Sequence, residues 1–260
     1  MEDKIVTKIS QRERERERER ERVCKLLHGD CLNLLSKIPN NSIDLILIDP
    51  PYIISKKSNF DKGGAWNDAA DKRCRKTPPK TDFGEWDKKE LDLNHLFKEY
   101  YRILKPHGTL LCFYDIWKMQ ELKECGEDNK FKQFRLCRWD KTNPVPVNSK
   151  LNYLSNASEY FITCVKESKP TFHSEYDKGI YEYPICSGKE RTIHPTQKPL
   201  SLITDLILKH SNENDLVLDC FMGSGTTGEA ALITDRNFIG IELNEGYFNI
   251  AKERVENINK

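Results

Sequence analysis

Net charge is the first thing this chain lacks. Lys plus Arg number 42 against 41 for Asp plus Glu, and the stretch Arg12–Arg22 alone, with six Arg and five Glu, accounts for the difference. A polyanion would have to be met by local clusters of cations and not by an overall positive field. Paired cysteine spacing is also missing. Nine cysteines, at 24, 31, 74, 112, 125, 137, 164, 186 and 220, include no Cys-x-x-Cys, and their number is odd. That pattern argues against a zinc site and against a disulfide framework. Scattered thiols fit a reducing compartment, so a cytoplasmic protein is expected. No apolar run reaches the ~18 residues of a membrane span, and the charged N-terminal stretch has no apolar core like that of a signal peptide. His28, His107, His173 and His210 lack ligand spacing, and no metal is expected. No unit recurs at a period of 20–50 residues, which excludes a solenoid.

What is present begins at Val23. Residues 1–22 read as a low-complexity Arg-Glu tail: in a helix its like charges fall at i,i+4 and its opposite charges at i,i+3, and no apolar face exists to dock it. Residues 23–260 read as one domain. A short strand leads to a turn at Gly29-Asp30 and a short helix over Cys31–Ile38. "IDLILID" is a near-continuous apolar run, the mark of a strand buried on both faces. Residues 53–88 form a long polar loop expected to be mobile and to contact the substrate. Helical spacing returns over Leu91–Leu104, "TLLCFYD" is a second buried-type strand, and Ile116–Cys125 a helix. Strands are expected near Phe134–Trp139 and Tyr160–Val165. Residues 166–191 are polar again and read as an insert. A helix just past Pro199, the strand "DLVLDCF", a glycine turn, the helix "GEAALITD", the strand "NFIGIEL" and a last helix complete an α/β fold with a parallel sheet.

Two strand ends carry chemistry. The strand ending in Asp219 is followed by Gly223-Ser224-Gly225 and a helix starting near Thr226. Glycines at the carboxyl end of a strand let a ligand approach the backbone. The next strand ends in Glu242, 23 residues after Asp219, close to the ~20-residue spacing at which a strand-end carboxylate meets ribose hydroxyls. The pattern is not G-x-G-x-x-G, so a nucleoside without a pyrophosphate fits better than a dinucleotide. The other strand end is Asp49-Pro50-Pro51-Tyr52. Consecutive prolines hold the chain extended and remove two amide donors. A carboxylate, a free carbonyl and an aromatic ring remain, the set needed to hold a planar base by its exocyclic amine. A plain strand-ending turn would use the same residues. The nucleoside site at the second strand end favours the functional reading.

Together, "DPPY" and "DCFMGSGTT" resemble the S-adenosylmethionine-dependent amino-methyltransferases of DNA. The tetrapeptide comes first and the glycine turn last, which is the order of the β group of bacterial modification enzymes. "GDCLNLLSKIPNNSIDLILIDPPY", "YYRILKPHGTLLCFYD", "WDKTNPVPVNSKLNYLSNASEYFITCVK" with its Glu159, and "HPTQKP" are similar to further segments of that group, and the resemblance spans residues 23–256. It implies a circularly permuted Rossmann-like S-adenosylmethionine-dependent methyltransferase fold, with a mainly parallel central sheet and helices on both faces. It implies S-adenosylmethionine as cofactor and double-stranded DNA as partner. Asp49, Pro50, Pro51 and Tyr52 would be catalytic, with Asp49 also at the methyl donor. Asp30 and Cys31 would lie near the cofactor adenine. Asp219, Phe221, Gly223, Ser224, Gly225, Thr226 and Thr227 would surround its methionine and adenosine, and Glu242 its ribose. His194, Thr196 and Lys198 would complete the pocket, with Lys198 toward the methionine carboxylate. A homodimer and a cognate restriction endonuclease are further expected partners.

The expected reaction is direct methyl transfer to an amine nitrogen. Asp at the first position of the tetrapeptide is commoner in adenine enzymes of this family and Ser in cytosine enzymes, which favours adenine, with the cytosine 4-amino group as the alternative. Cations interleaved with Trp66 and Trp86 mark 53–88 for DNA, above all Lys56, Lys57, Arg73, Arg75 and Lys76. Arg138 and Lys141 are a second candidate set, and 166–191 a candidate target-recognition insert. RNA or protein-glutamine methylation would usually carry Asn in place of Asp49 and the unpermuted order. A non-catalytic DNA-binding subunit of a heterodimer would have lost one motif, and a nicotinamide oxidoreductase would need the other glycine spacing.

The Arg-Glu run precedes every family match, and its charges nearly cancel. Arg-Glu can be encoded by AGA-GAG, a repeat of the dinucleotide AG, and a long tract of that kind slips during replication and shifts the reading frame. The expectation is a phase-variable gene in which the peptide is a by-product. Sequencing the codons checks this: unbroken AGAGAG is expected, and mixed CGN and GAA codons would exclude it.

Overall fold

Strand β2, Ile43–Ile48, is buried at every position except Asp44. Its even and odd residues pack into two different cores, Ile46 and Ile48 into one and Leu45 and Leu47 into the other. A strand covered on both faces has no solvent side to be polar on, which is why it reads as an unbroken apolar run. The chain's structure is a computed structural model that describes residues 23–51, 91–144, 156–167 and 169–258. The Arg-Glu run and the loop 53–88 lie outside the described residues.

Eight strands form one sheet in the order β1-β8-β7-β2-β3-β5-β4-β6. They are β1 (Cys24–His28), β2, β3 (Leu104–Tyr114), β4 (Phe131–Lys141), β5 (Ser158–Lys166), β6 (Ile180–Tyr183), β7 (Leu216–Asp219) and β8 (Asn237–Glu242). Only β5 runs against its neighbours; every other pairing is parallel. The helices are α1 (Cys31–Leu35), α2 (Leu93–Ile103), α3 (Met119–Asp128), α4 (Leu200–His210), α5 (Thr226–Ile233) and α6 (Glu245–Glu256). One core holds buried residues of α1, α2 and α3, including Leu35, Phe97, Tyr100 and Leu122. The opposite core holds those of α4, α5 and α6, including Leu206, Ala230 and Ala251.

β7 and β2 are neighbours at the centre of this sheet although the chain between them is long. From β7 the chain crosses through α5 to β8 on one side; from β2 it crosses through α2 to β3 on the other. Connections diverging from adjacent parallel strands leave a crevice at their carboxyl ends, the usual ligand position in an open α/β sheet. Asp44 secures the opposite edge, accepting from Leu216 N at 2.9 Å and from Lys105 Nζ at 2.8 Å.

Two elements differ from the reading of the sequence. The segment expected to be an insert, 166–191, contributes β6 to the sheet beside β4. β6 has four residues and only Tyr181 is buried, so it carries too little alternation to be recognised. β3 starts at Leu104 rather than Thr109, and the register against β2 shifts between Ile43 and Leu45. His107, at φ 71, takes up that irregularity. Among the described residues no helix is long and apolar enough to cross a membrane.

Candidate active site

The carboxyl ends of β1, β2, β7 and β8 open onto a cavity of about 480 Å³. β1 delivers Asp30 and Cys31: Asp30 caps α1, accepting from Leu32 N at 2.9 Å, and Cys31 is buried. β8 delivers Glu242, which accepts from Gly223 N at 2.9 Å and from Asn244 N at 2.7 Å. Burial pushes the Glu242 carboxyl up from its ordinary range, and these backbone donors oppose that. A carboxylate has about four acceptor sites, so Glu242 keeps capacity for a ligand hydroxyl beside its backbone donors Gly223, Leu243 and Asn244.

β7 delivers Asp219, which is almost fully buried. Its Oδ1 accepts from Phe221 N at 3.0 Å and its Oδ2 from the Thr227 hydroxyl at 2.6 Å. The side chain therefore clasps both ends of the glycine turn. Gly223, at φ 51, faces the cavity, and a Cβ there would lie 2.9 Å from His194 Nε2. Gly225, at φ 83, is not among the cavity-lining residues; a Cβ there would lie 2.8 Å from that of Ala251 in α6. One glycine opens the floor of the cavity, and the other lets α5 start against α6. Arg254 of α6 fastens the turn, donating to Thr226 Oγ1 at 2.8 Å and to Ser224 O at 3.2 Å. Phe221, Ser224, Thr226 and Thr227 all line the cavity.

β2 leads into Asp49, Pro50 and Pro51, which line the cavity beside the glycine turn. Tyr52 lies outside the described residues. Lys198 Nζ donates to Asp49 Oδ2 and sits 3.0 Å from Glu159 Oε2. Lys141 Nζ pairs with Glu159 Oε1 at 2.8 Å. Two carboxylates and two ammonium groups thus form one chain. The antiparallel course of β5 makes it possible: the start of β5, with Glu159, meets the carboxyl ends of β3 and β4. Asp49 Oδ1 is buried and has no hydrogen-bond partner among the described residues. Burial pushes the Asp49 carboxyl up, Lys198 opposes this and Glu159 adds to it, with a net rise. For Glu159 burial also raises, but the charges of Lys198 and Lys141 outweigh it and hold the group low.

His194, Thr196 and Lys198 all reach the cavity. The Lys198 ammonium, expected toward a ligand carboxylate, is found between Asp49 and Glu159, 5.0 Å above the Phe113 ring. His194 packs tilted against Tyr247 with ring centroids 4.5 Å apart, and burial, with help from Lys198, lowers it to about 4, so its imidazole is neutral at neutral pH. Its Nδ1 is buried without a partner among the described residues. Gln197 orders this segment, accepting from Thr192 N and donating to Glu190 O, both at 2.9 Å. Tyr247 and Phe113 went unnoticed in the sequence, where each sits in an ordinary apolar pattern. Of the DNA-contact candidates, Arg138 is exposed and donates to Asp140 at 3.0 Å, whereas Lys141 is turned inward onto Glu159. Lys56, Lys57, Arg73, Arg75 and Lys76 lie outside the described residues.

A family model described as DNA methylase matches residues 43–253. The chain belongs to the DNA methylase family. It is 32% identical over 252 residues to the type II methyltransferase M2.MboI of Moraxella bovis, covering 90% of this chain and 88% of the relative. It is 35% identical over 257 residues to the type II methyltransferase M.HinfI of Haemophilus influenzae, covering 90% of this chain and 68% of the relative. Among solved structures, the M1.HpyAVI–SAM complex superposes with a TM-score of 0.65 at 29% identity, over 90% of this chain and 99% of that one. The PvuII cytosine-N4-specific methyltransferase superposes at 0.67 with 18% identity, over 89% and 87%, a likeness of fold. This DNA methylase accordingly has a permuted methyltransferase fold, with the Asp49 strand early in the chain and the glycine-turn strand late, and S-adenosylmethionine is its cofactor.

The residues fit that cofactor. A cavity of about 480 Å³ lies within the range of small-molecule sites. Its wall holds five carboxyl groups, those of Asp30, Asp49, Asp92, Asp219 and Glu242, which suit a ligand carrying a sulfonium and an ammonium. His194 Nδ1, buried with no partner among the described residues, offers a polar contact, and Gly223 leaves the His194 ring the space that a Cβ would take.

Burial pushes Asp219 up to about 7, against the pull of Thr227 and Phe221 and with a push from Asp49 and Glu242. An unfolded Asp ionises near ~3.9. The folded state thus keeps a proton that the unfolded state loses, and Asp219 removes stability as pH rises from about 4 to about 7. Asp219→Asn, measured by urea unfolding, should gain on the order of 3 kcal/mol relative to the native chain between pH 4.5 and pH 7.5. A difference that stays constant over that interval would contradict a proton held on Asp219.

Proposed function

We propose that this DNA methylase transfers a methyl group from S-adenosylmethionine to the exocyclic 6-amino group of a flipped-out adenine in a specific duplex DNA sequence. The observation that carries the proposal is the state of Asp49, with one oxygen held by Lys198 and the other buried with no partner among the described residues. A buried acceptor left unsatisfied costs about 1–3 kcal/mol, which an incoming N–H donor would offset. Pro50 offers its carbonyl to the second amine hydrogen, and neither Pro50 nor Pro51 has an amide donor to compete.

S-adenosylmethionine supplies an electrophilic methyl group on a sulfonium sulfur. The amine lone pair is conjugated into the base and is a poor nucleophile. Two hydrogen bonds, to Asp49 Oδ1 and the Pro50 carbonyl, draw the nitrogen toward a tetrahedral shape and free that lone pair. The nitrogen must then lie within ~3–3.5 Å of the methyl carbon and in line with it. Once methylated, the nitrogen carries an acidic proton that Asp49 Oδ1 is placed to take. Tyr52 is assigned to stacking on the base by resemblance. The adenine assignment rests on Asp at the first position of the tetrapeptide; a cytosine 4-amino group presents a similar edge.

The proposal extends to the wider setting. Arg138, with Lys56, Lys57, Arg73, Arg75 and Lys76, is assigned to phosphate contacts. The two relatives named type II methyltransferases support a modification enzyme with a cognate restriction endonuclease, working in the cytoplasm, and a homodimer is the assigned state.

Incubation with methyl-labelled cofactor and mixed-sequence duplex DNA, followed by digestion to nucleosides, should give label in N6-methyladenine. Label in methylcytosine would reject the adenine assignment, and label in RNA or protein alone would reject DNA as substrate. Asp49→Ala should bind the cofactor but lose transfer by on the order of 10²–10³-fold or more. Substantial remaining turnover would reject the role given to Asp49.

A further inference from the structure

Glu159 does not line the cavity, yet it joins the ionic chain that ends on Asp49. Lys198 is contacted on three sides: by Asp49 from the end of β2 through a hydrogen bond, by Glu159 from β5 through an ion pair at 3.0 Å whose Oε2 accepts no hydrogen bond among the described residues, and by the Phe113 ring of β3 beneath it. Only 7% of the Lys198 side chain is exposed, so the ammonium is confined. Glu159 is in turn fixed by Lys141 from β4. Lys141 lies 5.4 Å above the ring of Trp139, which β5 pairs directly with Glu159.

We infer that Glu159 is a positioning residue, which holds Lys198 on Asp49 Oδ2 so that Oδ1 alone is presented to the target amine. The inference rests on the catalytic reading of Asp49 given above. A carboxylate with two equivalent oxygens and no tether could turn either to the amine, or engage the ammonium with both. Lys198 removes one choice, and Glu159 keeps Lys198 from moving further onto Asp49. Glu159 also balances the charge. Without it the buried Lys198 ammonium would belong to Asp49 alone, and the oxygen that must accept from the amine would be a weaker acceptor.

Other groups around Asp49 do not replace this arrangement. Cys112 of β3 is a thiol whose ionisation is suppressed, first by burial and then by Asp49 itself. Asp219 of β7 is pushed up to about 7 by burial, and its oxygens accept from Phe221 and Thr227. Lys198 is the cation paired with Asp49, and Glu159 the second carboxylate on that cation.

The two partners act on Asp49 with opposite sign. The Glu159 carboxylate resists its ionisation and the Lys198 ammonium favours it. The test uses the full chain as native protein, Glu159→Gln and Lys198→Met. The Asp49 carboxyl is followed by ¹³C NMR, with its resonance assigned by loss in Asp49→Asn, and kcat and KM for duplex DNA are measured against pH at saturating cofactor. In Glu159→Gln, the Asp49 titration and the acid limb of the rate profile should both move to lower pH. The same variant should lose about 10- to 100-fold in kcat, with the cofactor dissociation constant changed by less than about threefold. In Lys198→Met, the titration and the limb should move to higher pH. Titrations unmoved in both variants, or moved in the same direction, would overturn the inference, since a purely structural role lowers folded protein or rate without opposed shifts. Opposed NMR shifts in a protein that transfers no methyl group to DNA would reject the catalytic reading while leaving the electrostatic linkage in place.

Discussion

Of two adjacent parallel strands, β2 leads into the partly buried carboxyl group of Asp49 and β7 into the buried one of Asp219, and much of the site is organised to keep both there. Charges are rarely buried without partners, because the low-dielectric interior strips their hydration. The chain answers this differently on each strand. Asp219 receives an amide and a hydroxyl from the turn that follows it, and burial favours its protonated form. Asp49 receives a cation from another part of the chain and retains one oxygen with no partner among the described residues. The first solution gives each oxygen a partner and fastens the turn. The second leaves one oxygen open, and on the proposed reading that oxygen receives the target amine. On that reading a single edge of the sheet gives a binding half and a reacting half, distinguished by how the hydrogen-bonding capacity of each carboxyl group is filled.

The order of the elements along the chain matters less than their order in the sheet. The Asp49 strand comes early and the glycine-turn strand late, but β2 and β7 pair directly through Leu45–Val217 and Ile46–Leu218. The permuted chain therefore builds the same crevice as an unpermuted one would. What it cannot dispense with is β5. A parallel strand would present its last residue at this edge, whereas the antiparallel β5 presents its start, and Glu159 arrives opposite Trp139 and beside the Tyr114–Tyr160 pair. One reversed strand in a parallel sheet is what brings a second carboxylate within reach of the cation on Asp49.

Much of this architecture is legible in the residues themselves. β2, β7 and β8 announce themselves because burial on both faces leaves a continuous apolar run, and the strand ends follow from where the run stops. α2 is legible from the spacing of Leu96, Phe97, Tyr100 and Ile103, all buried. β6 was not, since one buried Tyr in four residues gives no pattern. In the site, motif residues are legible where they are contiguous, as in Asp49–Pro51 and Phe221–Thr227. Pairings between distant segments are not. Nothing in the spacing of Lys141, Glu159 and Lys198 reveals that they meet at Asp49, and Lys198 read in isolation pointed toward a ligand carboxylate. Gly223 and Gly225 look equivalent in sequence, yet one faces the cavity and the other faces α6. Sidedness of that kind is set by the packing of α5 and α6, which a single turn does not encode.

The tether on Lys198 explains why the segment before α4 needs so many internal hydrogen bonds. An ammonium on a four-carbon stem is mobile, and ordering it against two carboxylates loses rotamer entropy on the order of 2 kcal/mol. The segment around it is accordingly fixed before the side chain is placed. Gln197 ties Thr192 to Glu190. Glu190 Oε1 accepts from Leu200 N at 2.6 Å, satisfying the first amide of α4. Arg254 joins the Glu190 carbonyl to the glycine turn, donating to it at 3.1 Å and to Thr226. The backbone that carries Lys198 is thus bolted to the same turn that Asp219 clasps. A ligand settling over Gly223 touches that turn, and any shift it imposes has a connected path through Arg254, Glu190 and Gln197 to the cation on Asp49. The binding half and the reacting half are in this way mechanically one, although the residues that define them lie at opposite ends of the domain.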